Sequence, residues 1–225
     1  MPLDPNEQIL LNQIQAALGP AISPSLTVAS AANDVFEAYV FSLLLEAART
    51  ETAAVSFEDV HGRTPNVFTF RTSPGFIFST AQDYTHAVIT FSGRPPLEAH
   101  LGIYVEGASG VLHECDVVAV DRAEAQACRV SQASPRSAKV FIATECKFYA
   151  ATPSLGLVRG FLGLISDITA KDRFFVMNRT APSIERLLAR RHRHTCRESI
   201  IPANTNNVDL LIHSFRSAFH EYRRS

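Results

Sequence analysis

A membrane-spanning segment is missing from this chain. Its most apolar stretches, Ala38–Leu45 and Leu155–Ile165, fall short of the roughly 20 residues that a spanning helix requires, and Arg159 interrupts the second. The opening Met1-Pro-Leu-Asp-Pro-Asn-Glu lacks the basic and apolar regions of a secretory leader, which implies a cytoplasmic protein with no membrane partner. Cysteine is scarce: Cys115, Cys128, Cys146 and Cys196 show no CxxC spacing and read as reduced, structural thiols. No period of about 20 to 50 residues recurs, which disfavours repeat architectures. A phosphate loop, a GxGxxG turn, a GxSxG elbow and an HExxH helix are absent too, so chemistries built on them have no support.

What is present describes a folded domain. Hydrophobic residues make up 46% of the 225 and charged residues 19%, too apolar for a disordered chain. The formal net charge of −1 hides an asymmetry: residues 1–170 hold ten basic against seventeen acidic side chains, and residues 171–225 hold eleven against five. Acids that hold metal beside a basic surface that meets phosphate would give this layout, and so would salt bridges between the halves.

Periodicity predicts a short amphipathic helix over 5–18, closed by Gly19-Pro20, an Ala/Ser/Pro-rich linker over 20–32, and a stronger helix from Asp34 to Arg49. Strand-like runs follow at 53–58, 66–71, 75–79 and 86–92, then a hairpin of 99–106 and 110–121, a polar loop at 131–137 and a strand over Lys139–Tyr149. Helix 154–168, strand 173–178, helix 183–191 and helix 206–222 complete the order. A meander closed by helix, strand and helix points to a mixed α/β fold, with a central mixed sheet flanked by helices.

Two strand-like segments carry the chemistry, Leu112-His-Glu-Cys-Asp-Val-Val-Ala-Val-Asp121 and Val140-Phe-Ile-Ala-Thr-Glu-Cys-Lys-Phe-Tyr149. Strand alternation puts Glu145 and Lys147 on one face with Cys146 opposite; Glu114, Asp116, Val118 and Val120 share a face likewise. Charges inside such apolar runs are costly to bury unless they pair or bind a cation. On the helix before the meander, about 100° per residue places Phe41, Leu44 and Ala48 within about 40° of Glu37, whereas Glu46 lies opposite, beside Ser42 and Arg49. Glu37 is therefore expected to face the core and Glu46 to face water.

Asp116 followed by Glu145-Cys146-Lys147 on a later strand, with a helix after it, resembles the PD-(D/E)XK superfamily of restriction-endonuclease-like nucleases. The resemblance spans roughly residues 34–178 and implies a nuclease-like domain over 33–225, with a basic C-terminal region, behind an N-terminal helix and linker at 1–32. It implies that Asp116 and Glu145, with the backbone carbonyl of Cys146, hold Mg²⁺ or Mn²⁺, and that Lys147 positions and activates the attacking water. Glu37 joins them as a direct or water-mediated ligand. Hard oxygen ligands suit such a cation, which neutralises charge on a transferring phosphoryl group. Cys115 stands where the family has proline, and 29 positions separate Asp116 from Glu145, so a strand or loop is expected between them and Glu114 or Asp121 could take the place of Asp116.

DNA is the expected substrate, with Arg190, Arg191 and Arg193 in the basic run 186–197, and Arg159, as backbone contacts. A homodimer, or a partner protein supplying specificity as in restriction or phage-defence systems, follows from the superfamily alone. His192, His194 and Cys196 lack a fourth ligand for zinc. Gly156, Gly160 and Gly163 share one helix side and are expected to pack on the sheet. The competing reading is a catalytically inactive nucleic-acid-binding or scaffold protein that keeps the fold.

Overall fold

The computed structural model describes residues 5–151, 155–189 and 194–225. In chain order it runs α1 (Pro5–Leu18), β1 (Ser23–Pro24), α2 (Ala32–Thr50), β2 (Ala54–Asp59), β3 (Val67–Phe68), β4 (Thr85–Thr90), β5 (Leu97–Glu106), β6 (Leu112–Asp121), α3 (Arg122–Ser131), β7 (Val140–Lys147), α4 (Leu155–Asp167), β8 (Asp172–Met177), α5 (Pro182–Ala189), β9 (Thr195–Arg197) and α6 (Thr205–Arg224). A seven-stranded sheet of order β2-β4-β5-β6-β7-β8-β9 forms the middle layer. It is antiparallel from β2 to β7, while β7, β8 and β9 run parallel. The parallel pairs are those joined through α4 and α5, because only a crossover can return a chain in the same direction. Among the described residues no helix is long and apolar enough to cross a membrane.

Helix α2 is the central element of one face. Its apolar run packs on the sheet below and on α1 and α6 above, so nearly every side chain from Val35 to Ala48 is buried, with Glu37 half-buried and Glu46 exposed. Ser42, expected beside Glu46 on the wet side, is buried instead, with its hydroxyl donating to the Tyr39 carbonyl at 2.7 Å. The helical wheel placed it correctly relative to Glu37, but α1 and α6 cover that side. Leu10, Leu11, Ile14 and Leu18 of α1 belong to the same core, and Ile22 and Leu26 extend it through the segment expected to be a linker. There Ser23 and Pro24 pair with Val67 and Phe68.

The opposite face is covered by α3, α4 and α5. Helix α3 fills the interval between Asp116 and Glu145 where a strand or loop was expected. The predicted strand at 75–79 reduces to one bridge, Gly75 with Ile103, and that at 66–71 to the two residues of β3; Ser73-Pro74 interrupts regular pairing between them. The glycines Gly156, Gly160 and Gly163 face outward, and a methyl group placed on Gly160 or Gly163 would meet no atom within 4 Å. It is Val158 and Phe161 that pack on the sheet.

One kink positions the site. Leu101 pairs with Val117 and Ile103 with Cys115, and between them stands Gly102 at φ +54°, a left-handed conformation that glycine adopts freely. Leu97, Ala99 and Leu101 face α2, yet Ile103 and Val105 belong to the core on the far side. β6 follows: Val117 and Ala119 face α2, and Cys115 the far side. The strict alternation expected through Glu114, Asp116, Val118 and Val120 is thus broken at Asp116, the residue abreast of the glycine.

Candidate active site

Pairing of β6 with β7 runs from Val120 to Val117 and stops at Thr144. The next inward N–H of β7, that of Cys146, donates to Asp116 Oδ2 at 2.7 Å, so a carboxylate replaces a backbone carbonyl where the strands part. Because the N–H and C=O of one residue leave a strand by the same edge, the Cys146 carbonyl also points to this gap. The Cys146 thiol lies in the core against α2. Lys147 Nζ sits between two carboxylates, 2.6 Å from Glu145 Oε1 and 3.5 Å from Asp116 Oδ2. The Glu145-Lys147 alternation read from the sequence holds.

The electrostatics are those of crowded acids. Asp116 is 5% exposed, and burial lifts its carboxyl above the usual range against the pull of Lys147 and the Cys146 N–H. Burial and then Asp116 push Glu145 up to about 7. Burial, then Asp116 and Asp34, push Glu37 on α2 up to about 8. Glu114 is raised by burial and by Asp116, though its side chain is exposed. Burial works against the Lys147 ammonium, but Asp116 and Glu145 outweigh it and hold the group charged well beyond its ordinary range. One lysine therefore serves Glu37, Glu114, Asp116 and Glu145. These are hard oxygen donors short of positive charge, the type of ligand that Mg²⁺ or Mn²⁺ takes, yet among the described residues no three of their side chains bring ligand atoms within 4.8 Å of one another. Asp121 is not among them, because its side chain caps α3 by accepting from the Ala123 and Glu124 N–H groups.

Arg159 is exposed on α4. Arg190, Arg191 and Arg193 lie outside the described residues. Part of the basic C-terminal region is engaged within the fold: Arg216, His220 and Arg223 of α6 converge on Glu51 at the end of α2.

Sequence reasoning missed a second charged centre beneath β4, β5 and α3. Glu98, fully buried, accepts from both terminal nitrogens of Arg129 at 2.6 and 3.1 Å and lies 3.0 Å from His100 Nε2. Arg122 donates to both oxygens of Glu58 at 2.9 Å, and His86 stacks on His100 at 4.7 Å between ring centres. Among the described residues, Glu58, His86 and Glu98 form the trio of acidic or histidine groups whose ligand atoms come within 4.8 Å of one another. Two guanidiniums already neutralise its two carboxylates, so a divalent ion there would find less net negative charge than at the β6–β7 site, where one ammonium faces several acids. The signal available in sequence was a glutamate and a histidine two apart in the apolar run Leu97-Glu-Ala-His100.

Comparison with known proteins adds no relative: no family model, no curated protein and no solved structure matches the chain.

Proposed function

We propose that the protein is a metal-dependent nuclease of the PD-(D/E)XK kind, with a restriction-endonuclease-like core, hydrolysing phosphodiester bonds of DNA. The observation that carries this reading is the parting of β6 from β7 at Asp116, which gathers Asp116, Glu145, Lys147 and the Cys146 carbonyl at one gap. Asp116, Glu145, the Cys146 carbonyl and Glu37 would hold Mg²⁺ or Mn²⁺, which supplies neutralisation of the charge that builds on a transferring phosphoryl group. The Cys146 N–H holds the Asp116 carboxylate at the gap through Oδ2. Lys147 is a donor here, its ammonium being held charged by two acids. On substrate entry it exchanges its contact with Glu145 for the phosphate or the attacking water, lending positive charge where negative charge develops.

One observation favours a second reading. At 2.6 Å from Glu145, Lys147 satisfies that acid without any ion, as it would in a scaffold or nucleic-acid-binding protein that has kept the fold and lost the reaction. Plasmid and linear single-stranded DNA incubated with Mg²⁺, Mn²⁺ or EDTA separate the two. Cleavage that needs the cation and disappears in Lys147→Ala supports the nuclease; intact DNA under all three conditions leaves the scaffold.

A further inference from the structure

Three aromatic rings cluster on the surface next to the carboxylates. Phe76 and Phe78 stack at 5.0 Å with 23° between their planes, and Tyr104 closes on Phe76 at 5.2 Å. Phe76 keeps 37% of its surface in water. Ile77 between the phenylalanines points the other way, into the core beneath α3 and α4. The segment is held to β5 at both ends of its bridge, by the Gly75 N–H to the Gly102 carbonyl at 2.9 Å and the Tyr104 N–H to the Gly75 carbonyl at 3.1 Å. Arg71 Nη2 donates to the Phe76 carbonyl at 3.0 Å and fixes the loop from behind. The rings are thus presented on anchored backbone.

Their place in the sheet gives them a use. Tyr104 stands directly across from Glu114, and Glu114 precedes Asp116 by two residues on the same strand. With strands about 4.8 Å apart and a rise of about 3.4 Å per residue, the rings begin on the order of 10 Å from Asp116. Glu106 and Glu114 border the cluster, a setting that repels phosphate but tolerates the neutral face of a base. Aromatic rings stack on any base, and a base is available for stacking only when it is unpaired. Resting on the nuclease reading, we propose that Phe76, Phe78 and Tyr104 form a stacking platform for unpaired bases of the strand whose phosphate enters the carboxylate site, so that the substrate is single-stranded or frayed nucleic acid.

The test is fluorescence anisotropy with labelled oligo(dT), oligo(rU) and a blunt hairpin duplex in Ca²⁺, comparing wild type with Phe76→Leu and Phe78→Leu. Leucine keeps the apolar cover and removes the π face, and an unchanged melting temperature certifies the fold. Single-strand affinity is expected to fall about tenfold in each variant while duplex affinity stays within about twofold. Equal losses on both substrates, unchanged single-strand affinity, or a self-association that depends on Phe76 would each overturn the platform. Oligo(dT) against oligo(rU) assigns the strand to DNA or RNA. Cleavage with Mg²⁺ or Mn²⁺ is read separately: a Phe76→Leu enzyme with wild-type cleavage and strand preference sinks the platform alone. Absence of cleavage on every substrate, with single-strand binding still weakened by the substitution, sinks the nuclease reading alone.

Discussion

Two centres of buried charge, one around Glu98 and one around Asp116, differ in how they are balanced. Around Glu98 and Glu58, two arginines answer two carboxylates, and the stacked histidines are kept neutral, burial and the neighbouring His100 pushing His86 down to about 2. Around Asp116, among the described residues, one lysine answers four acids. A buried group that finds its partners within the fold contributes to structure; one that does not raises the free energy of the folded state unless something from outside completes it. Burial and charged residues alone do not distinguish the two centres. The charge count does.

The largest effect should come from unbalancing the balanced centre. Glu98→Gln leaves Arg129 and Arg122 short of charge in a dry environment, and loss of one partner of a buried pair costs about 3–5 kcal/mol. For a chain of this size that lowers the melting temperature by on the order of 10 °C, read by calorimetry or circular dichroism. The same pairing has a pH signature. Burial alone would raise the Glu98 carboxyl, but hydrogen bonds from His100 and Arg129 overcome it and hold the group far below the ordinary range. A depressed carboxyl contributes stability above its unfolded value, lost as pH falls through the acid range below about 4.5. Glu98→Gln should flatten that acid limb.

Relieving the unbalanced centre should do the reverse. Asp116→Asn and Glu145→Gln are each expected to raise the melting temperature of the metal-free protein by about 2–4 °C while cleavage falls about a hundredfold or more. A fall in stability together with activity would show that the acids are held by the fold alone. Lys147→Ala differs from both: Mn²⁺ binding by calorimetry persists while turnover is lost.

A smaller effect separates the centres by pH. Glu37 and Glu145, raised to about 8 and about 7, bind protons more tightly folded than unfolded. Their contribution is present below the unfolded value near 4.5 and disappears as pH climbs towards 8. The metal-free melting temperature should therefore sag across that window, recover on adding Mn²⁺, and lose part of its slope in Glu37→Gln but not in Glu46→Gln. Least in magnitude, Gly102→Ala forces a side chain into the left-handed region at a cost of about 1–2 kcal/mol. Because the kink faces Asp116, its activity loss should exceed what its modest stability loss explains, measured as turnover well below the melting transition.

Much of this was legible in the residues. The helical wheel separated Glu37 from Glu46, and strand period placed Glu145 with Lys147, because both depend on spacings of a few residues. The hairpin and the closing helices followed from turn glycines and periodic apolar positions. Helix α3 did not, since its ten residues bury only Glu124, Ala125 and Cys128, too sparse a pattern to stand out. The change of face at Gly102 is a matter of one dihedral angle, which periodicity does not encode. The Glu98 centre draws on residues 58, 86, 122 and 129, brought together by the sheet order, and no local window contains it.

The anchoring of α6 on α2 also bears on when the protein becomes competent during its synthesis. Phe215 and Phe219 seal the core that α2 shares with the sheet, and Glu51 waits for Arg216, His220 and Arg223, more than 160 residues downstream. A ribosome that has completed α2 and the whole meander has therefore made every acid of the site while the helix that carries Glu37 still has one flank bare. Contacts so distant in sequence form late and gate the cooperative step. α6 is thus the last element synthesised of those that cover the helix carrying Glu37.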